Sequence, residues 1–156
     1  MPKFSHAFEV RAPLEAVWRF HEDPHMLPSV MRGPVRVHVV HVERPLRPGS
    51  RIELLMQIGP LRQRWNLQLR EHQPPTRFTD EQIAGEGPFA MWQHTHVFQA
   101  LDAGRTRVSD TIIYELPFGL WGRLIGMMLG NLVMRLLFVS RMRSTRRLLE
   151  TPRFSE

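Results

Sequence analysis

The sequence predicts an α+β fold, with an antiparallel sheet of about seven strands and one long helix near its C-terminal end. Three observations predict it. Period-two runs separated by short turn signals fill the chain from Val35 to Leu116, a single amphipathic segment interrupts the pattern after the first run, and a proline-free stretch follows Pro117. At 156 residues and 42% hydrophobic content, the chain is about one domain long, and residues 1–156 are read as a single domain that buries a core with room for a pocket.

"KFSHAFEVRAP" alternates Phe4, His6, Phe8 and Val10 against Ser5, Ala7, Glu9 and Arg11, as a half-buried strand does. Pro13 then opens a helix over "PLEAVWRFHEDP" with Leu14, Val17, Trp18 and His21 on one face, Glu15 in the first turn and Pro24 ending it. "HMLPSVM" is a short helix or turn. Strands follow over "VRVHVVHVE", "RIELLMQI", "LRQRWNLQLREH", "RFTDEQIAG", "FAMWQHTHVFQAL" and "TRVSDTIIYEL". Short connections such as "GP" and "DAG" make successive strands antiparallel neighbours. Ile52, Leu54, Met56 and Ile58 share a parity within their strand, as do Leu61, Trp65, Leu67 and Leu69 within the next and Trp92, Phe98, Val108, Ile112 and Tyr114 within the last two, whereas Arg62, Arg64, Gln68 and Arg70 take the opposite parity in theirs. One face of the sheet is therefore covered and the other wet.

From "FGLWGRLIGMMLG" to Glu150 the chain reads as helix, on the order of 45 Å if continuous, so it must project, kink or break, with the break placed around Gly130–Asn131. Its apolar side chains surround it, and Gly122, Gly126 and Gly130 recur every fourth residue. Arg123 and Arg135 interrupt the stretch and argue against a transmembrane span. Met127, Met128, Met134 and Met142 give it adaptable apolar surface.

The absence of cysteine excludes disulfides, thiolate metal sites and cysteine nucleophiles. The opening "MPKFSHAFEV" has no apolar run of signal-peptide type, so a cytoplasmic location is expected. The net charge of +6 rests on arginines scattered through strands, with Lys3 the only lysine, so nucleic acid is not the expected partner. Arg141, Arg143, Arg146 and Arg147 do cluster, and a weak contact with an anionic membrane surface is expected there.

His94 and His96 project on one face of their strand together with Trp92 and Phe98. On the next strand the same parity carries Asp110 and Tyr114, and a "DAG" hairpin brings Asp110 toward the histidines. His-x-His plus a carboxylate has the ligand types of zinc or non-haem iron, but no fourth ligand stands at a diagnostic spacing, and neither a metal nor a cofactor is expected. Acid–base chemistry by a histidine oriented by Asp110 is the alternative. The reading adopted is that the polar side chains orient one end of a bound molecule. In "FTDEQ", either Asp80 or Glu81 points inward, and "FHEDP" reads as structural.

The order strand, helix pair, six strands, long helix resembles the helix-grip fold of the START-like or SRPBCC superfamily. The likeness rests on "FSHAFEVRAPLEAVWRFHEDP", "GPLRQRWNLQLREHQPPTRFTDEQIAGEGPFAMWQHTHVF" and "TRVSDTIIYELPFG". It is similar to polyketide cyclase or dehydrase-like members, and more so to a bacterial branch of the superfamily. The resemblance implies a curved sheet wrapped around the last helix and a cavity between them for a hydrophobic or amphipathic small molecule. It implies no particular reaction. Trp65, Trp92, Phe98 and Met128 are then expected as apolar walls, with His94, His96, Asp110 and Tyr114 at the polar end. A cyclase or dehydrase acting on a carbonyl compound is the enzymatic alternative. A homodimerising or membrane-docking module using the C-terminal helix is the third.

Overall fold

Alternation along the chain becomes seven strands in the computed structural model, which describes residues 1–151; the last five residues of the expected 1–156 domain lie outside the described residues. The elements are β1 (Lys3–Val10), α1 (Leu14–Glu22), a short turn of 3-10 helix (Pro24–Met26), α2 (Leu27–Val30), β2 (Val35–Val42), β3 (Arg51–Ile58), β4 (Leu61–Gln73), β5 (Arg77–Gln82), β6 (Met91–Asp102) and β7 (Arg105–Glu115). The C-terminal helix follows as α3 (Gly119–Ile125), a π turn (Gly126–Gly130) and α4 (Asn131–Leu149). The sheet order is β1-β7-β6-β5-β4-β3-β2 and every neighbouring pair is antiparallel. This is the α+β helix-grip architecture.

α1 starts where Pro13, in extended conformation, can offer its carbonyl but no N–H, and it buries Val17 and Trp18 against the sheet. It stops at Asp23, whose side chain accepts from the His25 N–H as Pro24 opens the next turn. α4 crosses the same face, burying Met134 and Phe138.

Two apolar clusters result. One gathers Phe4, Leu54, Trp65, Trp92, Tyr114 and Phe138, and the other, under α1, gathers Phe8, Val17, Trp18, Phe78, Phe98 and Val108.

The long helix does not break where the sequence marks Gly130–Asn131; it runs on with helical dihedrals and only widens to a π turn over Gly126–Gly130. The glycine stripe explains where it lies. A side chain at Gly122 would collide with the Pro117 carbonyl and one at Gly130 with the Tyr114 hydroxyl, so these bare positions face the sheet and let the helix approach it. Residues half a turn away then face outward, and that corrects the expectation for Met128. It is 73% exposed, on the far side of the helix from the sheet. Leu61 and Ile58 are also exposed despite their parity, because the β3–β4 hairpin tip runs past the elements that cover the face.

Candidate functional site

Between the sheet and the C-terminal helix lies a cavity of about 440 Å³ whose wall includes Trp65, Trp92, His94, His96 and Tyr114. Leu54, Leu67, Met134 and Phe138 make much of the rest apolar. Phe98, expected as a wall, is buried elsewhere: its ring meets Trp18 edge-on at 5.6 Å and His21 at 5.0 Å, filling the space beneath α1. Met128 lies outside the cavity altogether, and Asp110 stands behind the histidines rather than on the wall.

The polar floor is set by register. Asp80 is opposite His94 across β5 and β6, and His96 is opposite Asp110 across β6 and β7. The side chains pair diagonally instead. His94 Nε2 is 2.9 Å from Asp110 Oδ1, and His96 Nε2 is 3.2 Å from Asp80 Oδ2. His96 Nδ1 also lies 3.0 Å from Asp110 Oδ1, although without hydrogen-bond alignment, so this contact is electrostatic. Asp80 is therefore the inward carboxylate of "FTDEQ", and Glu81 turns outward to Gln68 and Arg70. Phe78 is opposite His96 across β5 and β6, with ring centroids 4.1 Å apart.

Burial and charge divide the roles of the two imidazoles. His94 is pushed down to about 4, first by burial and then by repulsion from His96, so it is neutral and donates its Nε2–H to Asp110. For His96, burial works toward the neutral form, but the carboxylates of Asp110 and Asp80 outweigh it and hold its pKa above the ordinary histidine value. Burial opposes ionisation of Asp110, yet the hydrogen bond from His94, the close contact with His96 and the charge of Arg141 carry it well below the usual carboxylate range. Asp80 is lowered too, with its bond to His96 overcoming burial. Asp80 and Asp110 thus meet counter-charge from the Arg141 guanidinium on the cavity wall and from His96, the imidazole held toward its charged form.

Several participants were not expected from the sequence. His21, on α1, is driven down to about 3 by burial and by Arg141, and its Nδ1 is 2.8 Å from the Val17 carbonyl. His72 Nε2 is 2.7 Å from Glu22 Oε1, and both residues line the cavity. "FHEDP" therefore contributes His21 and Glu22 to the wall. The signal in the sequence was His21 recurring on the Val17–Trp18 face; Arg141 carried none beyond its place in a basic cluster.

At the apolar end three buried donors, Trp65 Nε1, Trp92 Nε1 and the Tyr114 hydroxyl, make no hydrogen bond within the described residues. Trp65 and Trp92 meet edge-on with centroids 5.3 Å apart, and Trp92 is opposite Tyr114 in the sheet. Burial raises the Tyr114 pKa, so the phenol stays a neutral donor.

Asp80, His94 and His96 each offer a ligand atom, all within 4.8 Å of one another. The donor types suit a zinc-class ion. An ion there would compete with the proton that the carboxylates favour on His96 and would sit within the field of Arg141.

In chain trace the molecule matches a protein of Thermus thermophilus (TM-score 0.70, 23% identity, covering 95% of this chain and 97% of that one). A protein of Chromobacterium violaceum matches at TM-score 0.75 and 16% identity, covering 97% and 99%. The Zhui aromatase/cyclase of a Streptomyces species matches at TM-score 0.66 and 14% identity, covering 94% and 95%. At these identities the likeness speaks to fold. No curated protein matches in sequence. Residues 10–138, however, match the family model described as polyketide cyclase / dehydrase and lipid transport. With that match spanning most of its length, the chain belongs to the polyketide cyclase / dehydrase and lipid transport family of START-like proteins.

Proposed function

We propose that the protein binds an amphipathic small molecule between sheet and C-terminal helix, with an oxygen-bearing group held by Trp65, Trp92 and Tyr114 and a polar end at His94 and His96. The observation that carries this is the set of three buried donors without partners on residues of the cavity wall. A buried donor left unpaired costs about 1–3 kcal/mol, so a ligand oxygen that reached this wall would recover part of that cost. A volume of about 440 Å³ lies within the range of small-molecule pockets. Native mass spectrometry of gently purified protein tests the reading. A co-purified organic mass, displaced by a dansylated fatty acid that then fluoresces, is the expected result. Absence of any such mass together with no binding of the dansylated acid would rule it out.

One observation favours a second reading, a cyclase or dehydrase acting on a bound carbonyl compound. Neutral His94 gives its Nε2–H to Asp110, which leaves the lone pair on Nδ1 for a proton transfer. The aromatase/cyclase among the similar folds is in keeping with this reading. His94→Gln distinguishes the two: a binder keeps its affinity within a few-fold, whereas an enzyme keeps binding and loses turnover.

A further inference from the structure

Phe118, Leu120, Trp121, Met127, Met128 and Leu132 form an exposed apolar face on the C-terminal helix. We propose that this face, with the β3–β4 hairpin tip, docks the protein on an anionic lipid bilayer and sets the mouth of the cavity against the membrane.

Continuity with the cavity is the first support. Ile125, Leu129 and Val133 line the cavity and are also substantially exposed, so they mark its rim on this face. Ile58 does the same from the hairpin, next to exposed Leu61. An apolar patch of this extent on a monomer marks an interaction surface, and here the patch and the opening coincide.

Charge identifies the occupant. No acidic residue occurs from Leu116 to Leu149, from Leu54 to Arg70 or from Pro24 to Val42, the segments that supply the helix, the hairpin and the remaining rim. Arg135 is exposed on the helix and Arg62 flanks the exposed hairpin tip, whereas Arg123 is paired with Glu115 at 2.9 Å and Arg36 and Arg64 lie on the outer face of the sheet. A second copy seated on the same face would bring together two helices that carry arginine and no carboxylate. An anionic bilayer offers an apolar bed and the counter-charge at once.

The helix lies on the surface and does not cross it. By length and composition Gly119–Leu149 could span a bilayer, at mean hydropathy 1.5 over its most apolar window. But Met134 and Phe138 are built into the core, and pulling them out would open the sheet. The contact also lies away from the basic end beyond Ser140, where the sequence placed it: Arg146 is tied to the Glu9 carbonyl and stacks over Phe8.

The full chain is mixed with vesicles of phosphatidylcholine alone or with phosphatidylglycerol added, at low and high salt, and followed by co-sedimentation and tryptophan emission. Trp121 is 74% exposed while Trp18, Trp65 and Trp92 are buried, so a blue shift on binding reports Trp121. Binding to phosphatidylglycerol vesicles that weakens with salt, with a blue shift abolished in Trp121→Phe, is expected. Arg62→Gln with Arg135→Gln should weaken partitioning about thirtyfold, equivalent to about 2 kcal/mol. Leu120→Ser with Leu132→Ser should weaken it further with the circular dichroism unchanged. No association at low salt overturns the proposal, as does equal binding to both vesicle types. A dimer in light scattering that dissociates on Leu120→Ser with Leu132→Ser would give the face to a second copy instead. Vesicle binding and binding of the dansylated acid are read separately, so either can fail while the other stands.

Discussion

His94 and His96 lie with ring centroids 3.7 Å apart, and their surroundings push them in opposite directions, His94 toward the neutral form and His96 toward the charged one. The carboxylates on either side favour the extra proton on His96, and burial together with repulsion from His96 keeps His94 neutral.

Stability should therefore fall on both sides of neutrality. His94 and His21 have lowered values, about 4 and about 3, against an ordinary 6.5. The unfolded chain takes up protons below pH ~6.5 that the folded protein refuses, so their contribution is complete above that value and is lost as pH falls toward ~4. His96, raised, acts in the opposite sense: its contribution is complete below ~6.5 and is lost as pH rises through its folded value. Urea midpoints measured across this range should peak near neutrality. In His94→Gln the acid limb should flatten, by up to about 3 kcal/mol at the acid end.

Asp110→Asn should cost more than Asp80→Asn. Asp110 sits beside both histidines, at 2.9 Å from His94 and 3.0 Å from His96, whereas Asp80 bonds His96 alone. Removing one partner of a buried ion pair costs about 3–5 kcal/mol, and that range is expected for Asp110→Asn. For Asp80→Asn, with Asp110 still beside His96, about half as much is expected. Chemical denaturation of both variants at neutral pH gives the comparison.

Tyr114→Phe should separate binding from stability. Its hydroxyl has no partner among the described residues, so removing it should leave the unfolding free energy of the ligand-free protein unchanged or raise it, by up to about 1 kcal/mol. Affinity for an oxygen-bearing amphiphile should drop about tenfold, the loss of one hydrogen bond. Fluorescence titration with the dansylated acid supplies the second number.

Gly130→Ala should destabilise by about 1–3 kcal/mol, because the new methyl collides with the Tyr114 hydroxyl. Tyr114→Phe in the same chain should recover part of that loss and no more, since the ring carbon behind the hydroxyl lies 3.1 Å from the same position. A double-mutant cycle by thermal melting measures the coupling.

Much of the fold was legible because parity and turn chemistry are local. The Phe4–Phe8 alternation, Pro13 opening α1 and the "DAG" hairpin all stand where their residues put them. Trp65, Trp92, His94, His96 and Tyr114 share the wall because a covered face is a matter of counting by two. Met128 and Phe98 were misplaced for a different reason. Which side of a helix apolar all round meets the sheet was decided by its glycines, and which part of a covered face lies under α1 was decided by a helix elsewhere in the chain. Arg141 and the diagonal pairing with Asp80 depend on how α4 and β5 sit against β6, which no single stretch records.

The diagonal pairs have a consequence for how the sheet aligns. A slip of one residue would turn every side chain of β6 to the wrong face, and hydrophobic burial alone forbids it. A slip of two keeps Trp92, His94, His96 and Phe98 on the covered side, where burial scarcely distinguishes it from the native alignment. It would, however, leave only one imidazole at the level of Asp110 on β7 and Asp80 on β5 and carry the other off it, so that two buried carboxylates would share a single partner. The three central strands can therefore satisfy their charges in one alignment among several of similar greasiness, and the His–Asp lattice works as the sheet's parity check.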